Sequence, residues 1–175
     1  MKLWISVAAL ALSATVACAE VTDATPGGFQ VKHTVEIAAP AARVWTSLLQ
    51  PATWWDPSHT WSGSASNLSL AAASGGCFCE RLPNGGSAVH MSTVYAQPGQ
   101  KLTLFGALGP LQSSGAAGHM SFGLSEKDGK TTLTVTYDVG GYMKGGLDKI
   151  AAPVDGVMGQ QVARLKSSVE TGKPG

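Results

Sequence analysis

The residues best suited to chemistry gather between Cys77 and His90. Glu80 is the first. The pair Asn84-Gly85 signals a two-residue hairpin turn, which sets Pro83 opposite Gly86, Glu80 opposite Val89, Cys79 opposite His90 and Phe78 opposite Met91. Glu80 then shares a face with Phe78, Leu82 and Met91. A carboxylate on an apolar face is desolvated, which raises its pKa and prepares a general acid or base. The alternative is a carboxylate at the sheet rim, reaching water or a basic side chain. No second acid is spaced to pair with it.

Cys77, Cys79 and His90 form the second constellation. In that register Cys79 faces His90, with Cys77 two residues along the same face. Two thiols and an imidazole suit a soft metal such as copper or zinc, but a fourth ligand is not evident. A Cys77–Cys79 disulfide is the competing reading. Residues i and i+2 of a flat strand lie ~6.6 Å apart, so the bond needs a bulge or strain. Two free thiols without a role remain the third possibility. No nucleophile elbow, phosphate loop, dinucleotide fingerprint or His-Glu-x-x-His motif is present, and no cofactor is expected.

A third group is aromatic. Trp54, Trp55 and Trp61 follow a short helical stretch and can either pack the core or rim a cavity for a flat apolar ligand.

The elements that position these groups follow from periodicity. Phe29 to Ile37 alternates, with Phe29, Val31, His33, Val35 and Ile37 on one face. His33 is the polar member of that face, either a core-edge histidine or a ligand contact. Ala41 to Gln50 reads as a short helix after Pro40 and before Pro51. The turns Pro98-Gly99 and Asp128-Gly129 pair Tyr95 with Leu102, Thr93 with Leu104 and Met91 with Gly106, then Leu124 with Leu133, Phe122 with Val135 and Met120 with Tyr137. The inner face then carries Phe78, Leu82, Val89, Met91, Tyr95, Leu102, Leu104, Met120, Phe122, Leu124, Leu133, Val135, Tyr137 and Val139. From Gly146 to Thr171, Leu147, Ile150, Ala151, Val154, Val157, Met158, Val162, Leu165 and Val169 make one helical stripe. Pro153 is expected to split off a short first piece. One apolar sheet face against one apolar helix gives an α+β fold with a curved antiparallel sheet around a C-terminal helix.

Val35 to Trp45, then Trp54-Trp55-Asp56-Pro57, resembles the opening of START-like (SRPBCC) domains. Gly75-Gly76-Cys77-Phe78, Pro98-Gly99 and the terminal helix fit the branch named after activators of a heat-shock-protein ATPase. The resemblance implies a helix-grip fold over residues 29–172, with a cavity between sheet and helix. It implies a small apolar or amphipathic ligand, with Trp54, Trp55, Trp61, His33, Met91, Thr93, Tyr95, Met120, Phe122, Tyr137 and Met158 as candidate lining. A cyclase- or hydrolase-like enzyme using Glu80, and a protein-binding module, stay open.

Length and charge bound the rest. Leu3 to Val16 is an apolar run, and Ala17-Cys18-Ala19 fits a signal cleavage site, so residues 1–19 read as a leader and 20–28 as a flexible lead-in. Acylation at Cys18 is the alternative. The mature chain is then periplasmic or secreted, which makes a cytosolic chaperone an unexpected partner. Without Lys2 the basic and acidic residues balance, which argues against nucleic acid as a partner. The apolar run is too short for a comfortable membrane span.

Overall fold

The computed structural model describes residues 18–175. The predicted leader lies outside the described residues up to residue 17. Eight antiparallel strands form one sheet in the order β1-β2-β8-β7-β6-β5-β4-β3. They are β1 (Cys18–Thr25), β2 (Gly28–Ile37), β3 (Leu68–Leu70), β4 (Cys77–Arg81), β5 (Ser87–Gln97), β6 (Lys101–Gly106), β7 (Gly115–Lys127) and β8 (Lys130–Tyr142). Helix α1 (Ala41–Leu48) and three short 3₁₀ turns join β2 to β3, and α2 (Asp148–Thr171) closes the chain. This is the helix-grip α+β arrangement.

Helix α2 buries Ala151, Met158, Val162, Leu165 and Val169 along its stripe. Each large apolar side chain removed from water contributes about 1.5–3 kcal/mol before ordering costs. The helix ends at Gly172, whose left-handed φ of 79° lets its N–H reach Ser168 O. It does not divide at Pro153: one helix runs through from Asp148. Proline there removes a single bond, to Lys149 O, and Lys149 is exposed enough for water to serve that carbonyl. Helix α1 has no cap from its own N-terminal residue. Glu126 Oε2, at the end of β7, accepts from Ala41 N at 2.8 Å instead.

The β7–β8 hairpin follows the expected register, including Met120 with Tyr137 and Phe122 with Val135. The other two hairpins depart from it in the same way. Each loop holds three residues rather than two, so pairing near the turn shifts by one. Arg81 faces Ser87, and Gln97 faces Lys101. A one-residue bulge in β5 then cancels each shift: His90 is the extra residue against β4, and Val94 against β6. Beyond the bulges, Phe78 faces Met91 and Thr93 faces Leu104, as expected.

The consequences are local and matter. Between turn and bulge the side chains of β5 reverse face, while those of β4 and β6 keep theirs. Cys79 faces Val89, not His90, and Glu80 faces Ala88. Val89 and Tyr95, expected inside, are exposed, and Leu82 is only half-buried. His90 turns inward and is buried beside Met91. Gly106 lets β6 pass this irregularity, since a Cβ there would lie 2.4 Å from His90 O and 2.8 Å from Met91 Cα.

The segment expected as a lead-in is β1, paired with β2 from Cys18↔Thr34 to Thr25↔Gly28. As an edge strand with most side chains exposed, it carries no apolar alternation to reveal it.

Candidate functional site

A cavity of about 330 Å³ opens between α2, the inner face of the sheet and two loops. Trp55 and Phe78 line one side. Leu108 and Leu111 line another, in the loop between β6 and β7, with Ile150, Val154, Val157 and Met158 on α2. Tyr137 is also in its wall. Ser58, His59, Trp61, Pro110 and Pro153 reach both cavity and solvent, and so mark its mouth. No lysine or arginine lines it.

The tryptophan loop is held by the polar side of α2. Gln161, buried, accepts from Asp56 N at 2.9 Å through Oε1, so its Nε2 donates to His59 Nδ1 at 3.1 Å. Gln160 Nε2 donates to Asp56 Oδ2 at 2.7 Å, and Arg164 Nε donates to Trp54 O at 2.9 Å. Asp56 accepts from Ser58, and those bonds hold its carboxyl below the usual carboxylate range. Trp55 Nε1 donates to His59 O, which fixes the ring against Phe78 at a centroid distance of 5.3 Å.

Trp61 and His90, both bordering the cavity, belong to a closed polar ring. Trp61 Nε1 can only donate, and it meets Gln112 Oε1 at 2.8 Å. Gln112 Nε2 therefore donates, to Val89 O at 3.1 Å and to His90 Nδ1 at 3.2 Å. Nδ1 is thus the acceptor, and Nε2–H of His90 donates to Glu80 Oε2 at 2.9 Å. Glu80 also accepts from Trp61 N at 3.1 Å and from Ser62 N at 2.5 Å.

This geometry corrects the expectation for Glu80. Burial does push its carboxyl up, but the hydrogen bonds from Ser62, Trp61 and His90 outweigh it, and the pKa is lowered. Glu80 is ionised at neutral pH with both oxygens occupied by donors. It does not line the cavity; His90 stands between. It anchors the loop that carries Trp61.

The proposed cysteine–histidine grouping also does not assemble. Cys77 and Cys79 form a disulfide on the outer face with Cα atoms 5.3 Å apart, while the bulge sends His90 to the inner face. Among the described residues no cluster of His, Cys, Asp or Glu could hold a metal ion.

Of the expected lining residues, Trp55, Trp61, Tyr137 and Met158 border the cavity. Trp54 packs beneath Trp55 and donates to Ser47 O at 3.0 Å. Met91, Met120 and Phe122 are buried in the solid core. Thr93 Oγ1 donates to Ala71 O at 2.7 Å. Tyr95 lies on the outer face, its hydroxyl donating to Gln97 Oε1 at 2.8 Å. His33 packs against α2, with Nε2 at 2.9 Å from Asp155 Oδ1 and its ring beside Gly159.

Tyr137 is the wall residue with an unsatisfied polar group. It is fully buried, and its hydroxyl has no hydrogen-bond partner. Burial pushes its pKa up to about 12, and the Leu108 backbone, outside hydrogen-bonding geometry, opposes this only in part. The phenol stays neutral and able to donate. Gln112 and Gln161 escaped sequence reading because long-range loop contacts place them, and His90, expected beside the cysteines, is turned to the other face by a bulge; the loop 108–111 had only its small residues as a signal.

Residues 28–170 match the profile of the family described as polyketide cyclase / dehydrase and lipid transport. No curated protein matches the chain. Among solved structures, CalU16 from Micromonospora echinospora is 15% identical, with a TM-score of 0.58, over 93% of this chain and 88% of that one. The Aha1 dimer from Colwellia psychrerythraea is 18% identical, with a TM-score of 0.59, over 82% and 98%. A conserved protein of unknown function from Enterococcus faecalis is 16% identical, with a TM-score of 0.57, over 89% and 78%. These likenesses concern the fold.

Proposed function

Because the chain belongs to the polyketide cyclase / dehydrase and lipid-transport family, we propose that it binds one small, uncharged, largely apolar molecule in the cavity beside α2. The observation that carries this reading is the largely apolar cavity itself, which has Tyr137, with an unpartnered buried hydroxyl, among its wall residues. An unmatched buried hydroxyl costs about 1–3 kcal/mol, and a ligand carbonyl or ether oxygen would relieve it. A dry apolar cavity of about 150 Å³ takes one benzene, so 330 Å³ suits a molecule of about two rings. The wall has no lysine or arginine to neutralise an anionic head group, which favours neutral ligands.

Binding rather than catalysis is the better reading of the polar groups. Both nitrogens of His90 are engaged, and Glu80 is ionised and saturated. The apolar run 3–16 followed by Ala17-Cys18-Ala19 supports export of the mature chain, and the amino-terminal sequence of the secreted product tests that.

The binding test uses prodan, an uncharged two-ring fluorophore with a ketone, against anilinonaphthalene sulfonate, an anion of similar size. Saturable, one-to-one prodan binding at least about tenfold tighter than the sulfonate is expected. Equal binding of both, or none, would overturn the reading. Organic extraction of freshly purified protein with mass spectrometry should also recover a neutral small molecule.

A further inference from the structure

We propose that Cys77 and Cys79 form a thiol-exchange site on the outer face of the sheet, whose opening loosens the cavity wall on the inner face through Phe78. The affinity part of this proposal rests on the ligand-binding reading above; the exchange chemistry does not.

The two sulfurs are placed for exchange. Both cysteines are half-buried on the outer face, with Ser92 across the ladder from Cys77, and Ser69 and Val89 on either side of Cys79, so part of each remains open to solvent. Arg81 occupies the next outward position of β4, where its positive charge favours a departing thiolate. A bridge between residues two apart encloses almost no chain, so it removes little entropy from the unfolded state. Stapling the fold is a weak reason for such a bond.

The coupling lies in the residue between the cysteines. Phe78 points to the opposite face, is buried, and lines the cavity. Its ring sits 5.3 Å from Trp55 and 5.1 Å from His90. The ladder shift that turns His90 inward falls between Phe78 and Cys79, inside the segment spanned by the disulfide. The bond holds the two cysteine Cα atoms at 5.3 Å, against ~6.6 Å for an extended strand. Releasing it lets β4 lengthen at the point where Phe78 and His90 are set.

The chemistry balances with an external dithiol as reductant. A dithiothreitol thiolate attacks one cysteine sulfur, forming a mixed disulfide and expelling the other cysteine as thiolate. The reductant's second thiolate then attacks its own sulfur in that mixed disulfide, closing its ring and releasing the first cysteine. Two electrons pass from dithiothreitol to the protein.

The native protein is equilibrated with glutathione buffers or with dithiothreitol under anaerobic conditions. Trapping by alkylation and mass spectrometry reads the thiols. ¹H–¹⁵N spectra of the His90 ring read the inner face without any ligand, and prodan titration reads the cavity. Expected are reduction by glutathione without unfolding, a changed His90 Nε2–H signal, and prodan affinity lower by about 2–10-fold, equivalent to one aromatic stacking contact. The Cys77→Ser, Cys79→Ser double variant should match the reduced protein and ignore dithiothreitol. A disulfide that glutathione leaves intact in the folded protein overturns the exchange site. Reduction with unchanged His90 signals overturns the coupling. Absence of prodan binding by the oxidised protein defeats the ligand reading alone, since the other two measurements still decide this one.

Discussion

Replacing Tyr137 by phenylalanine should move stability and affinity in opposite directions. The ring is fully buried and packs edge-on against Phe29, with centroids 6.3 Å apart. Phenylalanine keeps that packing and removes only the oxygen. The oxygen has no partner in the unliganded protein, so its removal relieves about 1–3 kcal/mol of unreturned desolvation. For a domain of this size each kcal/mol shifts Tm by about 2–4 °C. Thermal unfolding of Tyr137→Phe without ligand should therefore rise by several degrees. Prodan, whose ketone can accept from Tyr137, should bind the variant more weakly by about 2–10-fold, the worth of one net hydrogen bond of roughly 1 kcal/mol. N-phenylnaphthylamine has rings but no carbonyl and should bind both proteins alike. The titrations are run at neutral pH, far below the value of about 12 for this phenol, so ionisation plays no part. A variant that is less stable than wild type, or that binds prodan unchanged, would refute the assignment of the hydroxyl as the polar anchor of the cavity.

Three further outcomes follow from the same geometry. Glu80 has a folded pKa below its ordinary 4.5, so its contribution to stability is complete above about 4.5 and disappears as pH falls through the lowered folded value. Glu80→Gln should cost about 1.5–3 kcal/mol at pH 7, as expected for hydrogen bonds to a charged group, and should flatten the acid limb of stability against pH measured by urea unfolding. In α2, a Cβ at Gly156 would meet nothing within 4 Å, while one at Gly159 would lie 3.0 Å from His33 Cε1. Gly156→Ala should gain about 0.8–1 kcal/mol of helix propensity; Gly159→Ala should gain less or lose, and calorimetry that ranks them the other way would contradict the packing of His33. Gly106→Ala places a methyl against backbone at the His90 bulge, so it should destabilise by about 1–3 kcal/mol or more and reduce prodan binding; retention of both would mean that the close approach is not required.

The fold was legible because its largest elements are periodic. The stripe of α2 and the alternation of β2, β7 and β8 each repeat over enough residues to identify the buried face, and the Asp128-Gly129 turn fixes a pairing that nothing downstream disturbs. Strand β1 was not legible for the converse reason. Its pairing is made by backbone groups along the free edge of β2, and its side chains have no buried face to declare. Pro153 departs from its expected effect for a related reason. Sequence records the missing N–H, but not that the affected carbonyl lies on the exposed side of a helix already held by Leu147 before it and Met158 after it.

The site was less legible because its orientation depends on single-residue events. An Asn-Gly or Pro-Gly pair marks a turn without stating whether the loop has two residues or three. The resulting one-residue error leaves distant pairs such as Phe78–Met91 correct, because a bulge restores the register, while it inverts the β5 side chains between turn and bulge. Both Val89 and Tyr95, expected in the core on that account, lie outside; His90, expected on the cysteine face, lies against Glu80. A bulge is stabilised by what it delivers. Here the inward turn of His90 satisfies a buried carboxylate that also holds Trp61 N and Ser62 N, so one displaced residue closes a hydrogen-bonded ring around the cavity mouth. Removing that acceptor should therefore act on the register of β5 as well as on the loop. In Glu80→Gln the ring N–H of His90 can be met by only one amide oxygen, for which Ser62 N and Trp61 N compete. Amide exchange at Val89, His90 and Met91 should quicken together with that at Ser62, and exchange confined to the loop would show that the bulge is held by β6 and Gly106 alone.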